Sequence, residues 1–450
     1  MDAAGVRVSH ARNGLAWYGA AVAALASTVA AKDLPSTCQD ICDTLTATAC
    51  MVSTVHDVVV GSAIDCTTAR DVTVSGSGEI RVHDGMLSLR AKSITLTSGG
   101  KITADCPQAF VPTGFELIVA DDFTMVAGGG AKLSARCDAA GGTVAVSAYD
   151  AITVAALGID ANGTGLDAPG GSIRLAAGGT VSLLADLSAD ATQGLASGGV
   201  ISVHGDTVDV QGEIRARGYG TGSDERPGGD IEIAADSTVT ITSGAGVNVG
   251  SSQGSAGHIG ISAGTLADIR RPLKAQGTGG AIGEGGTIEI AANQVKVDTD
   301  LVVTGGRRGG RVEIDAETGG VIIGTAGSAT IDATAGANER GGAIHVAARD
   351  GNATLGGSAT LYVSGGSGAE GGRIDVEAVD VTTNSGTRLY ANGAIPDRGG
   401  QIEITARGLM TLDGTMEANN QGSKTFIYTS QTPNISSSIT GYELVLMPYI

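Results

Sequence analysis

A Gly-Gly doublet followed by an apolar, polar, apolar strand start returns about every 29 residues, a spacing that belongs to stacked-repeat architectures. Gly141-Gly142 precedes Val144 and Val146, Gly228-Gly229 precedes Ile231 and Ile233, and Gly399-Gly400 precedes Ile402 and Ile404. Between these, the second glycine falls at Gly171, Gly199, Gly257, Gly286, Gly310, Gly342 and Gly372. Only the unit at Gly257 lacks the first glycine, where Ala256 stands, and Ile259 and Ile261 still keep its strand.

One unit shows the logic. Thr287-Ile288-Glu289-Ile290 follows Gly285-Gly286; Gln294-Val295-Lys296-Val297 and Leu301-Val302-Val303-Thr304 come next, before Gly305-Gly306. Alternation with period 2 sends Ile288, Ile290, Val295 and Val297 to one side and the polar residues between them to the other. Strands this short cannot bury an apolar face alone, so successive units must stack to make a core. Equivalent strands of successive turns then run parallel. Glycine suits the corners, where the chain needs φ > 0 or has no room for Cβ. The reading is an all-β, parallel β-helix with three short strands per coil. The strict hexapeptide period expected of a left-handed coil is absent, which favours the right-handed form.

At 450 residues an ordinary globular chain would divide into two or three domains, but the unbroken repeat argues for one solenoid. The 72 glycines follow no every-third-residue period, which excludes collagen, and the regular Val and Ile alternation disfavours disorder. The expected organisation is a signal peptide at 1–31, a disulfide-rich N-terminal cap at 32–50, the β-helix at 51–422 and a C-terminal cap or tail at 423–450. Arg7, His10 and Arg12 precede the apolar run Leu15 to Leu25, with Val29-Ala30-Ala31 as the cleavage region. No second run is long enough to span a bilayer, so the mature chain is expected to lack a transmembrane span. Localisation is expected to be secreted or cell-surface. The tail carries Phe426, Tyr428, Tyr442 and Tyr449, and its run Leu444-Val445-Leu446-Met447 is a candidate for end-to-end association.

The formal charge of −19 makes nucleic acid a poor partner, and loss of Asp2, Arg7 and Arg12 with the signal segment makes the charge more negative by one. Six cysteines, Cys38, Cys42, Cys50, Cys66, Cys106 and Cys137, lie in the first third and read as disulfides in an exported chain. Six cysteines allow fifteen pairings. Cys106 and Cys137 stand close to one repeat apart, which stacks them on adjacent coils; Cys50 with Cys66 and Cys38 with Cys42 would then close the N-terminal end. No C-x2-C spacing supports zinc.

Gly-Gly-x-Ile-x-Ile-x-Ala units resemble the right-handed β-helices of filamentous haemagglutinin-type bacterial adhesins and the wider pectin-lyase-like superfamily, over about residues 50–420. The resemblance implies a fold; that scaffold carries lyases, hydrolases, adhesins and passive fibres. Lyase chemistry, as the resemblance implies it, needs clustered Ca²⁺-binding aspartates beside a basic residue. The local groupings Asp121-Asp122 and Asp224-Glu225-Arg226 are the only nominees, and both read as polar loops.

The outward residue between the two apolar positions of each repeat forms a column: Ala145, Arg174, Ser202, Glu232, Gly260, Glu289, Glu313, His345, Asp375 and Glu403. Stacked Glu289 and Glu313 would need a salt bridge or a hard cation, and Ca²⁺ is the one cofactor they nominate. Arg311 and Arg373, two residues before Glu313 and Asp375, supply the salt-bridge alternative. The Gly-Gly-x-Gly-x-Asp calcium nonapeptide is absent. Gly250-Ser251-Ser252-Gln253-Gly254 spells a nucleophile elbow, yet no helix follows it. The six histidines show no triad or metal spacing. Trp17, the one tryptophan, lies in the signal segment, which weakens sugar stacking, and Thr95-Leu96-Thr97 and Thr238 to Thr242 do not form the repeated Thr array of an ice-binding face. The expected function is a non-enzymatic structural or adhesin-like β-helix that contacts extracellular glycans or proteins. The alternatives are a polysaccharide-active enzyme and a Ca²⁺-dependent matrix component. Three carboxylates converging with a Lys or Arg in a groove would favour the enzyme.

Overall fold

The computed structural model describes residues 35–449, apart from 59–60, 84, 107–112, 221–226, 245, 279–282, 337–338, 396–397, 420–421 and 442. The proposed signal segment and Asp224-Glu225-Arg226 lie outside these residues. The chain is a parallel β-solenoid of about 12 turns, each of roughly 28 residues and three strands. At about 4.8 Å per turn this makes a rod on the order of 60 Å long.

Among the described residues two ladders run the length of the rod, one 25-stranded and one 15-stranded. In the turn that begins at Thr143 the three strands are separate, Thr143–Ala148, Ile152–Val154 and Ile159–Asp160. In the middle of the rod the first two merge into one bent strand, as in Thr287–Val297 and Arg311–Ile323, with a register shift at the bend. The core is built of columns. Ile231 pairs with Ile259, Ile259 with Ile288, Ile288 with Val312, and the same column continues through Ile344, Ile374 and Ile402. All seven have no measurable solvent exposure, so each contributes about 1.5–3 kcal/mol of apolar burial.

The doublet glycines answer the second of the two needs foreseen for them. None of the doublet at Gly285-Gly286 lies in the positive-φ region. Instead, a Cβ on Gly285 would stand 1.9 Å from the Val303 carbonyl oxygen, and one on Gly286 2.0 Å from that of Gly257. At this corner the backbones of adjacent turns touch. The Gly286 amide donates to the Ala275 carbonyl at 2.9 Å and the Gly285 amide to that of Arg308, also at 2.9 Å, so the close approach is used for hydrogen bonds that tie the corner together.

The cysteine pairing differs from the expected one at the N-terminal end. Cys38 pairs with Cys66 and Cys42 with Cys50, at Cα separations of 5.2 and 5.3 Å; Cys106 pairs with Cys137 at 4.8 Å. The cause is an antiparallel hairpin that breaks the repeat: Thr44–Leu45 folds back on Ala49–Val52 with Leu45 opposite Cys50, which carries Cys42 across to it. Pro35–Thr37 pairs with the strand Ala63–Val74, Thr37 opposite Asp65, so Cys38 meets Cys66. Asp43 locks this hairpin to the first coil. Its carboxylate accepts from the Ser53 amide (2.6 Å), the Thr54 amide (2.8 Å) and the Thr54 hydroxyl (2.6 Å).

Within the stretch expected to be a C-terminal cap or tail, two described strands continue the coil. Lys424–Thr429 stacks in parallel on Gln401–Ala406, with Ile427 under the column of Ile404, and Glu443–Pro448 stacks on Lys424–Thr429 in turn. The repeat is hidden in the sequence because buried Ser423 replaces the second glycine and buried Thr425 replaces an inward aliphatic residue. Phe426 and Tyr428 occupy outward positions opposite Glu403 and Thr405 and stack on each other, with ring centroids 6.2 Å apart.

Candidate functional site

The outward column read from the sequence stands in unbroken register: Ala145, Arg174, Ser202, Glu232, Gly260, Glu289, Glu313, His345, Asp375 and Glu403 are successive partners. Glu289 and Glu313 are therefore neighbours on adjacent turns. Arg311 Nε reaches the Glu313 carboxylate at 3.1 Å, and Arg373 bridges Asp375 at 2.7 Å and Glu403 at 2.8 Å. Asp315 is likewise held by Arg349. Strand alternation explains the economy of this arrangement: residues two apart share a face, so one arginine can meet an acid on its own strand and another on the next turn.

Glu232 of this column forms a grouping with two residues of the column beside it. Asp230, one position after its doublet, lies directly opposite His258 on the next turn, and Glu232 shares their face. His258 Nε2 is 3.1 Å from Glu232 Oε1, and one ligand atom from each of the three residues lies within 4.8 Å of the others. The hydrogen bond to Glu232 raises the His258 pKa against the opposing effect of burial. Burial first, then the charge of Glu232, raises the carboxyl of Asp230. The signal that would have found them is the column one place after each doublet, where Asp230 and His258 are successive entries beside the column that was read.

A second grouping lies on the 15-stranded ladder. Asp160 is 6% exposed and ion-paired with Lys132 (3.6 Å) and Arg136. Asp190, 4% exposed, accepts from the Arg217 amide (2.7 Å) and guanidinium (2.8 Å) and lies 3.3 Å from Arg215, which also holds Glu213 at 2.8 Å. Asn162 accepts from the Ser188 hydroxyl at 2.8 Å and from the Asp190 amide at 2.6 Å. Three carboxylates thus gather with four cations, and every carboxylate is engaged by at least one of them.

Tyr362 and Tyr390 were also missed. They are in-register partners with ring centroids 4.9 Å apart and planes inclined by 6°, between Asp332 and Glu417 in the same column. Their signal was the Leu-Tyr pair repeated one turn apart, Leu361-Tyr362 and Leu389-Tyr390.

The remaining nominees serve as local structure. Asp121 pairs with Lys92 at 3.7 Å, and Asp122 accepts from the Ala151 amide at 3.0 Å, bracing loops. Ser251 of the elbow-like string is buried at a bridge between turns, with no helix after it. A threonine ladder does exist, against expectation: Thr73, Thr95, Thr124 and Thr153 are successive partners. It is one residue wide, flanked by Asp71, Ser93, Asp122 and Ala151 rather than by a second threonine file. No helix among the described residues is long and apolar enough to cross a membrane. Compared with known proteins, the chain is matched by no family model, no curated protein and no solved structure.

Proposed function

We propose that this chain is a secreted or cell-surface, non-enzymatic β-helix whose long faces make structural or adhesin-like contacts with extracellular glycans or proteins. The observation that carries the reading is the commitment of outward charge. The acids at Glu313, Asp315, Asp375 and Glu403 are neutralised by neighbouring arginines on the same strand or the next turn, so these faces offer extended surface rather than a free acid beside a free base. Three cysteine pairs fit an oxidising compartment. The basic N-terminal segment with its apolar run supplies the export signal in this reading. The acidic surface turns polyanions such as nucleic acid away.

Stacked Tyr362 and Tyr390 with Asp332 and Glu417 beside them offer the aromatic and polar groups that sugar binding uses. A glycan array probed with the full chain, with and without Ca²⁺, tests this. Binding that falls in Tyr362→Ala and Tyr390→Ala supports an adhesin; silence in both conditions counts against sugar recognition. Binding only with Ca²⁺, lost in Glu289→Gln with Glu313→Gln, would instead favour the Ca²⁺-dependent matrix reading.

A polysaccharide-active enzyme is the second reading, and the gathering of Asp160, Asp190 and Glu213 with Lys132, Arg136, Arg215 and Arg217 favours it. Release of reducing or unsaturated ends from any polysaccharide by the wild type, abolished in Asp190→Asn, would establish it over the first.

A further inference from the structure

We propose that Asp230, Glu232 and His258 bind one divalent transition-metal ion on the outer face of the rod, a site separate from the Glu289–Glu313 pair. The fold brings the donors together from two turns. Asp230 and Glu232 alternate on the strand Asp230–Ile241 and so share a face, and register sets His258 opposite Asp230. Their ligand atoms already lie within 4.8 Å of one another. Ligands around an ion at about 2.0–2.2 Å stand roughly 3–3.5 Å apart, so small side-chain rotations close the site.

Two further features point to a ligand. Asp230 is only part-buried, yet its Oδ1 is shielded from solvent and has no hydrogen-bond partner, which leaves one carboxylate oxygen for a positive group to meet. Gly260 faces Glu232 across the turn, and a Cβ there would stand 2.3 Å from the Glu232 carboxylate. The missing side chain is what lets Glu232 lie over the neighbouring turn and reach His258. On the far side of Gly260, Glu289 adds a further negative charge to the field at His258. Access is open: a shallow groove of about 540 Å³ along the glycine corners is lined by Asp230 and His258 together with Gly229, Gly257, Glu284 and Thr287.

The donor set selects the ion. One imidazole and two carboxylates suit Zn²⁺, Co²⁺ or Ni²⁺, whereas Ca²⁺ and Mg²⁺ prefer oxygen ligands alone. Neutral His258 donates its ring nitrogen to the ion in place of its present bond to Glu232, and the ion's charge offsets Asp230 and Glu232.

The test is calorimetric titration of the full chain with zinc chloride, and separately with calcium chloride, for wild type, His258→Gln, Asp230→Asn and Gly260→Ala. Thermal melts in chelator establish that each variant is folded. An acidic surface takes up some zinc loosely, so the readout is the difference from wild type. The expected result is one tight zinc equivalent in wild type that is missing from His258→Gln and Asp230→Asn. Gly260→Ala, which deletes no ligand and only displaces Glu232, should weaken it by about 10-fold or more. Equal zinc uptake in wild type and His258→Gln, unchanged affinity in Gly260→Ala, or calcium binding as tight as zinc would each overturn the proposal.

Discussion

The first and last described turns of the rod are held in opposite ways. A solenoid has to stop, and the last turn at each end exposes a strand edge and one layer of core. At the N-terminal end the repeat is broken by a hairpin, two cysteine pairs and the hydrogen bonds of Asp43, and Ile41 beneath them is 1% exposed. At the C-terminal end the repeat simply runs on. Leu444 and Leu446 occupy inward columns above Thr425 and Ile427, and among the described residues they are 49% and 56% exposed. The difference teaches that covalent links and irregular chain bury the first described turn, whereas regular repeat alone leaves the last described turn exposed. Strand Glu443–Pro448 is paired along one edge only among the described residues.

Four changes would break or sharpen that contrast. Ile427→Ala should cost about 2–5 kcal/mol, read in local hydrogen-exchange free energies of Gln401–Ala406 and Lys424–Thr429, because it empties a fully buried position. Removing the Cys38–Cys66 link, which closes a loop across a separation of 28 residues, should cost about 2–4 kcal/mol. Denaturant melts should then resolve early loss of the first coils while the shaft persists, as nearest-neighbour coupling allows.

The third change is in pH. Thr54's hydroxyl above all, with the Ser53 amide, holds the Asp43 carboxyl well below its ordinary range in the folded chain. A lowered folded pKa means that its stabilisation is complete above the unfolded value near ~3.9 and is lost as pH falls toward the folded one. Proteolysis of the N-terminal hairpin should rise on acidification below that value, and Asp43→Asn should show the higher susceptibility already at neutral pH. The smallest effect belongs to Leu446→Ala, below about 1 kcal/mol, since half of its surface is already in water. A loss as large as that of Ile427→Ala would mean that this end is covered.

How far the sequence was legible follows the same division. Where the doublet and its apolar pair recur, the fold, the inward columns and the outward file from Ala145 to Glu403 could be read directly, because period 2 along the strand and one turn between doublets suffice to place each side chain. The cysteine partners could not, because the hairpin at Thr44–Leu45 reverses the chain and makes repeat spacing irrelevant there. The last turns escaped notice because Ser423 and Thr425 stand where glycine and an aliphatic residue would announce a strand. Asp230 and His258 escaped for a different reason. They sit in a column beside the outward file from Ala145 to Glu403, and their proximity is lateral, across turns, where sequence distance conveys nothing until two files are laid side by side.

Hydrogen exchange resolved by segment, on dilute protein with its cysteine pairs intact, tests most directly the claim of an in-register stack whose first described turn is locked and whose last described turn is exposed. The account predicts that Glu443–Pro448 and then Lys424–Thr429 exchange first, while Ala49–Val52 and Ala63–Val74 are protected like the shaft. Earliest exchange in those N-terminal strands, or shaft-like protection of Glu443–Pro448, would contradict it.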